Sequence, residues 1–237
     1  MAKPFYSNSV EFPVTLRPIT KPDDRDTHQD IVNVQHTFRS LLREMDSLFL
    51  GHTRYTTPDI SKTWSTVGAG GVVEADSTEQ VIVAAAGTTG TNLILQVHPT
   101  DPTPHTIRAA VFSQFSQKDF LGTGICLRNS TSGAVWTVGV RGANLEVCEY
   151  ASPTTLTTVH FSAPWVQAQP QWYKIYDSGT STTFSVSVDG YYWTALFTGT
   201  SPVYNEAGLW VSNENSATPE LGITSRLISW RDEPGVI

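Results

Sequence analysis

The stretch Phe184-Ser-Val-Ser-Val-Asp-Gly-Tyr-Tyr-Trp193 decides how the larger part of this chain folds. Phe184, Val186 and Val188 alternate with Ser185, Ser187 and Asp189, a period of two that turns one strand face towards a core and leaves the other polar. Asp189-Gly190 carries the chemistry of a two-residue type I′ turn, and Tyr191 to Trp193 begins the returning arm of a hairpin. Outward from this hairpin the same texture continues. Apolar or alternating runs occupy residues 72–75, 80–83, 92–97, 106–111, 124–127, 135–140, 145–148, 172–177, 209–212 and 223–230. Turn residues separate them at the spacing of sandwiches and barrels. Pro102 and Pro104 mark a loop, residues 152–158 read as a low-complexity turn region, and no repeat of fixed period appears.

Composition agrees with a folded β protein. Of 237 residues 39% are hydrophobic and only 16% charged, with Thr, Ser, Gly, Val and Trp abundant. A net charge of −7 excludes the basic face that sequence-independent nucleic-acid binding needs, so no nucleic-acid partner is expected. No apolar run reaches the length of a membrane span, so no insertion is expected. The first residues contain no apolar core of a signal peptide, which suggests folding in a cytoplasm. The two cysteines, Cys126 and Cys148, are too few for a secreted disulfide framework. They read as buried thiols, with a cross-strand pair as the alternative.

The N-terminal quarter differs. Residues 1–26 hold Pro4, Pro13, Pro18 and Pro22, which forbid a continuous helix, while Val10, Phe12, Val14 and Leu16 alternate with polar neighbours and Pro13. This reads as an extended arm that docks on a neighbouring molecule, with a flexible leader as the alternative. Thr27 and Asp30 resemble a capping box, and Gly51 is a natural helix stop. Between them Ile31, Val34, Phe38, Leu41, Met45 and Leu48 take the a and d positions of a heptad. Leu42 and Phe49 widen the stripe beyond a two-stranded seam, which favours a trimer. An amphipathic helix lying on its own domain remains the alternative. The expected organisation is a docking arm over 1–26, a trimerising helix over 27–51 and a β-sandwich over 61–232.

The C-terminal part also carries a family resemblance. Gly122-Thr-Gly-Ile-Cys-Leu-Arg-Asn129, Trp136-Thr-Val-Gly-Val140, Trp172-Tyr-Lys-Ile-Tyr-Asp-Ser-Gly179, the hairpin quoted above and Gly208-Leu-Trp-Val-Ser212 together resemble the concanavalin A-like and laminin-G-like jelly rolls. The resemblance implies an all-β jelly-roll sandwich preceded here by one helix. Domains of this kind serve as glycan-binding modules, glycoside hydrolases and structural sandwiches. The order of arm, heptad and sandwich looks like trimeric phage virion appendages: tail fibres, head fibres and decoration proteins. That likeness implies a non-enzymatic homotrimer in a virion, docked on other virion proteins by its arm and projecting the sandwich for particle decoration or host-surface attachment, with a host-surface glycan as a candidate partner. A carbohydrate-binding module acting alone is the alternative, with a jelly-roll glycosidase behind it.

The chemistry within the sandwich is sparse. Glu74-Ala-Asp76-Ser-Thr-Glu79 has the spacing of laminarinase-type retaining glycosidases, in which two carboxylates share the work. Ser77 and Thr78 are turn formers where that family has apolar residues, so the motif reads as a hairpin tip and no catalytic residue is assigned. The six histidines have no metal-ligand spacing, and there is no Cys-x-x-Cys, nucleophile elbow or phosphate loop. Asp177 and Asp189 read as turn acids rather than calcium ligands. No metal or cofactor is expected. Aromatic faces stack on sugar rings, which makes Trp165, Tyr191, Tyr192, Trp193 and Trp210 the candidates for contact with a glycan or a protein. The heptad reading predicts a trimeric mass by analytical ultracentrifugation, reduced to a monomer when Phe38 and Leu41 are both replaced by glutamate.

Overall fold

The computed structural model describes residues 63–75, 80–84, 90–100, 103–114, 120–165, 171–214 and 223–235. The arm residues Val10, Phe12, Val14 and Leu16 and the heptad Ile31 to Leu48 lie outside the described residues. What is described is all β. The strands are β1 (Ser65–Val67), β2 (Gly71–Ala75), β3 (Gln80–Ala84), β4 (Leu93–Pro99), β5 (His105–Gln114), β6 (Phe120–Arg128) and β7 (Val135–Arg141). They continue with β8 (Asn144–Ser152), β9 (Thr155–Pro164), β10 (Gln171–Asp177), β11 (Ser181–Ser187), β12 (Thr194–Thr200), β13 (Glu206–Glu214) and β14 (Ile223–Pro234).

Two seven-stranded sheets form from them, in the orders β1-β4-β13-β6-β7-β8-β9 and β12-β11-β10-β5-β14-β3-β2. Every ladder is antiparallel. The inner faces meet in one core. Ile94, Ile125, Val138, Val140, Leu209 and Val211 come from the first sheet, and Ile107, Val111, Tyr173, Ile175, Phe184 and Leu227 from the second. Each belongs to an alternating or continuously apolar run visible in the sequence, and the pleat sends successive residues of a run to opposite faces.

The first sheet is apolar on its other face too. Leu93, Leu95, Val97, Cys126, Val135, Cys148, Tyr150 and Trp210 form a second buried cluster there. Trp210 organises it. Its indole lies on a floor of Gly122, Gly124 and Gly139, where an added Cβ would come within 2.7–3.0 Å of the ring. Gly124 stands opposite Trp210 and Gly139 opposite Gly124, with Gly122 two residues along β6 on the same face. Its Nε1 donates to the carbonyl of Val138 at 3.3 Å. The glycines therefore make a socket for a flat ring as well as a close approach between strands.

Beside that cluster runs a buried charge relay. Arg141 reaches Glu146 at 3.3 Å and Glu214 at 3.2 Å, and Ser162 Oγ donates to Glu146 at 3.1 Å. Cys126 and Cys148 both stand opposite Thr137, one on each side of β7, so they are two strand spacings apart, roughly 9–10 Å. That is beyond disulfide reach, and both are free and buried. Burial, with Glu146 as a second cause, pushes the Cys148 thiol up to about 12.

Two features of the sequence reading change. Residues 152–158 are the corner of a β8–β9 hairpin and the start of β9 rather than a turn region. The strand is Thr-rich and mostly exposed at the sheet edge, so its β propensity carried no apolar alternation. The connection at Asp189-Gly190 is a six-residue loop, 188–193, and not a two-residue turn. Val188 lies outside β11 and is 64% exposed, so it does not share the buried face of Phe184 and Val186. The reason is packing: Gly190, at φ 77°, sits on the ring of Trp172, where an added Cβ would meet the indole at 3.0 Å. On the edge strand β2, Glu74 pairs with Val81 and Ala75 with Gln80 of β3. Asp76 to Glu79 themselves lie outside the described residues.

Replacing Trp210 by alanine empties the glycine socket, and by analogy with large-to-small core changes it lowers stability by about 3–5 kcal/mol in urea unfolding.

Candidate functional site

Alternation on β10 separates core from site. Tyr173 and Ile175 enter the core, while Lys174 and Tyr176 point to the outer face of the second sheet. The ladder then aligns their neighbours. Lys174 stands opposite Arg108 on β5 and Ser185 on β11, and Tyr176 stands opposite Thr106 and Thr183. Ser185 in turn faces Ala195 on β12. Together with Trp193 these side chains line a groove of about 190 Å³. Its walls are aromatic, its floor is hydroxyl-rich, and its two charged groups are both cations.

The groove is held in shape by its neighbours. Lys174 Nζ lies 5.0 Å from the centre of the Trp193 ring, a cation–π contact that fixes the ammonium above the indole. Partial burial first, and the nearby Arg108 second, hold the Lys174 amine below its ordinary range. Trp193 ends the loop 188–193, whose conformation Asp189 sets. One Asp189 oxygen accepts from the backbone N–H of Tyr191 at 2.8 Å and of Tyr192 at 3.0 Å, and from Ser187 Oγ at 2.8 Å. Ser187 Oγ accepts in turn from Gly190 N–H at 2.9 Å. This is the Asx and Ser turn chemistry expected of such residues, used here to aim a tryptophan.

The candidates named from sequence are dispersed. Trp193 lines the groove. Tyr191 and Tyr192 sit on the loop before it and are exposed, Tyr192 by 85%. Trp165 packs against the core and donates its Nε1 to Gln171 at 3.1 Å. Trp210 is 2% exposed, in its socket on the other sheet. Arg108, Lys174 and Tyr176 were not singled out in the sequence. The signal for Lys174 and Tyr176 was present in Trp172-Tyr-Lys-Ile-Tyr-Asp177, whose alternation puts both on one face. Arg108 is placed beside them only by the β5–β10 pairing.

Asp177 belongs to a buried corner. Its carboxylate accepts from Gly179 N–H at 2.7 Å, Ser201 Oγ at 2.7 Å and Tyr204 Oη at 2.6 Å, and Tyr204 Oη lies 3.3 Å from His105 Nε2. Burial, followed by Asp177, raises the Tyr204 hydroxyl well above its usual range, so it stays a donor. The serine bonds the aspartate rather than the histidine, which is not the order of a nucleophilic relay. The corner ties the β12–β13 connection to β5 and β10. Among the described residues no three His, Cys, Asp or Glu side chains gather into a metal-binding group.

No known protein family matches this sequence, and no curated protein does. Solved structures do resemble its fold. A functionally unknown protein from Saccharomyces cerevisiae aligns with a TM-score of 0.55 at 11% identity, over 73% of this chain and 97% of that one. The exoplasmic/lumenal domain of VIP36, in a form bound to Ca2+ and Man3GlcNAc, aligns at 0.50 with 8% identity, over 77% and 88%. The GH43 protein BlXynB from Bacillus licheniformis aligns at 0.50 with 12% identity, covering 74% of this chain but 35% of that one. The fold is therefore a concanavalin A-like jelly roll, as the sequence motifs implied.

Replacing Asp189 by alanine removes the acceptor shared by two loop amides. It is expected to cost about 1–3 kcal/mol in thermal or urea unfolding and to free Trp193, read as a shift in tryptophan fluorescence.

Proposed function

We propose that this chain is a carbohydrate-binding protein whose sandwich holds a glycan in the groove between Trp193 and Tyr176. One observation carries the reading. An indole and a phenol stand beside three hydroxyl side chains and two nitrogen cations in a single groove on the outer sheet face. Aromatic faces pack against the C–H surface of a pyranose, while hydroxyls and cations bond its oxygens, so the two kinds of surface a sugar presents are both met. The likeness in fold to a domain solved with Man3GlcNAc supports the same class of ligand.

The role is binding rather than hydrolysis. Retaining and inverting glycosidases need two carboxyl groups flanking the scissile bond, and the groove lining contains none. The virion reading adds a way of presenting this site. A heptad over Ile31 to Leu48 that trimerises would offer three grooves to one surface and multiply a weak contact into avidity. The arm residues Val10, Phe12, Val14 and Leu16 would then mount the trimer on a particle.

A glycan array followed by calorimetry on the hits tests the proposal. Wild-type protein is expected to bind, and Trp193→Ala to lose roughly 10-fold or more in affinity with its thermal midpoint little changed. Binding that survives both Trp193→Ala and Tyr176→Ala would place the ligand elsewhere.

A further inference from the structure

Resting on that reading of the groove, we infer that its ligand is an acidic saccharide, a sugar whose carboxylate or sulfate is held between Arg108 and Lys174. Three observations lead there, and the first is the register. Lys174 and Arg108 stand directly opposite each other across the β10–β5 ladder, and Arg231 stands opposite Arg108 on the other side. Three cations thus form a row across three strands. Like charges facing each other across a sheet are destabilising, so such a row is costly unless something negative sits over it.

The second observation is where the counter-charge goes. Arg231 has its own partner, Glu233 at 3.2 Å, two residues along the same strand. Arg108 and Lys174 have no ion pair among the described residues. The Arg108 Nε is buried without a hydrogen-bond partner, and the residues lining the groove include no acid. The third is context. The chain carries 22 acidic against 15 basic residues, so a cation pair facing an open groove runs against the charge of the whole molecule.

The geometry suits a charged sugar better than a bare anion. A guanidinium binds a carboxylate or sulfate in a planar fork, and the ammonium adds a point charge from the neighbouring strand. Thr106, Thr183 and Ser185 supply hydroxyls along the same floor, while Tyr176 and Trp193 wall the ring. The groove is half-buried, so the charge contacts are less screened than on open surface.

The test uses the full chain and matched pairs of polymers. Polygalacturonate is compared with its methyl-esterified form, which keeps the backbone and removes the charge. Dextran sulfate is compared with dextran, so that the carboxylate and sulfate arms are read separately. The acidic member of at least one pair is expected to bind at least 10-fold more tightly than its neutral counterpart and to weaken as sodium chloride is raised. Arg108→Gln and Lys174→Gln should each lose roughly 10- to 100-fold of that affinity. Arg108→Lys should retain part of it, and Arg226→Gln, an exposed cation on β14 outside the groove, should change nothing. Thermal midpoints of all variants check that they fold.

The outcomes separate cleanly. Trp193-dependent binding of a neutral glycan, with Arg108→Gln and Lys174→Gln unaffected, leaves the groove standing and overturns the acidic ligand. Acidic binding that falls equally in Arg226→Gln is non-specific attraction and also overturns it. Absence of binding to every glycan, neutral or acidic, defeats the carbohydrate reading itself.

Discussion

Alternation along β10 is the constraint on which the rest depends. Because successive side chains of a strand point to opposite faces, Tyr173 and Ile175 must enter the core if Lys174 and Tyr176 are to leave it. A one-residue slip would bury a lysine between the sheets and expose an isoleucine. Core packing therefore fixes the register, and the register places Arg108, Lys174 and Ser185 in one line. The groove comes from the same ladder that makes the fold, with only Trp193 supplied by a loop.

The two sheets divide the work unequally. The first carries a second buried cluster on the side away from the shared core, where Trp210 lies on glycines. A ring in that position cannot tolerate Cβ atoms beneath it, so three strand positions lose side chains to accommodate one tryptophan. The second sheet keeps its outer face polar over β5, β10 and β11. Polar side chains there cost little to leave in water and remain open to a ligand with similar groups.

Much of this was legible in advance, for physical reasons that can be named. The runs around Leu93, Val138, Tyr173 and Leu209 alternate or are continuously apolar, and hydrophobic burial made them strands. β9 is not legible in the sequence, because an edge strand half in water shows no clean apolar period. Asp189-Gly190 was read as a tight turn because its backbone preference is local. The loop is longer because Trp172 claims Gly190 as a lid, a contact between residues far apart on the chain. Trp210 and Trp193 look alike in sequence, yet one fills a socket and the other lines a groove.

What the sequence by itself determined is an all-β fold: alternation, turn residues and composition point to a sandwich or a barrel, and its motifs resemble those of the jelly rolls. It also determined that groups for metal or nucleophilic chemistry stand at none of the usual spacings. Only the tertiary structure decided where the groove lies. Arg108 and Lys174 are separated by 66 residues in the chain, and nothing local links them. Strand pairing brings them face to face, because hydrogen-bonded register is set by the burial of their neighbours and not by the charged side chains themselves.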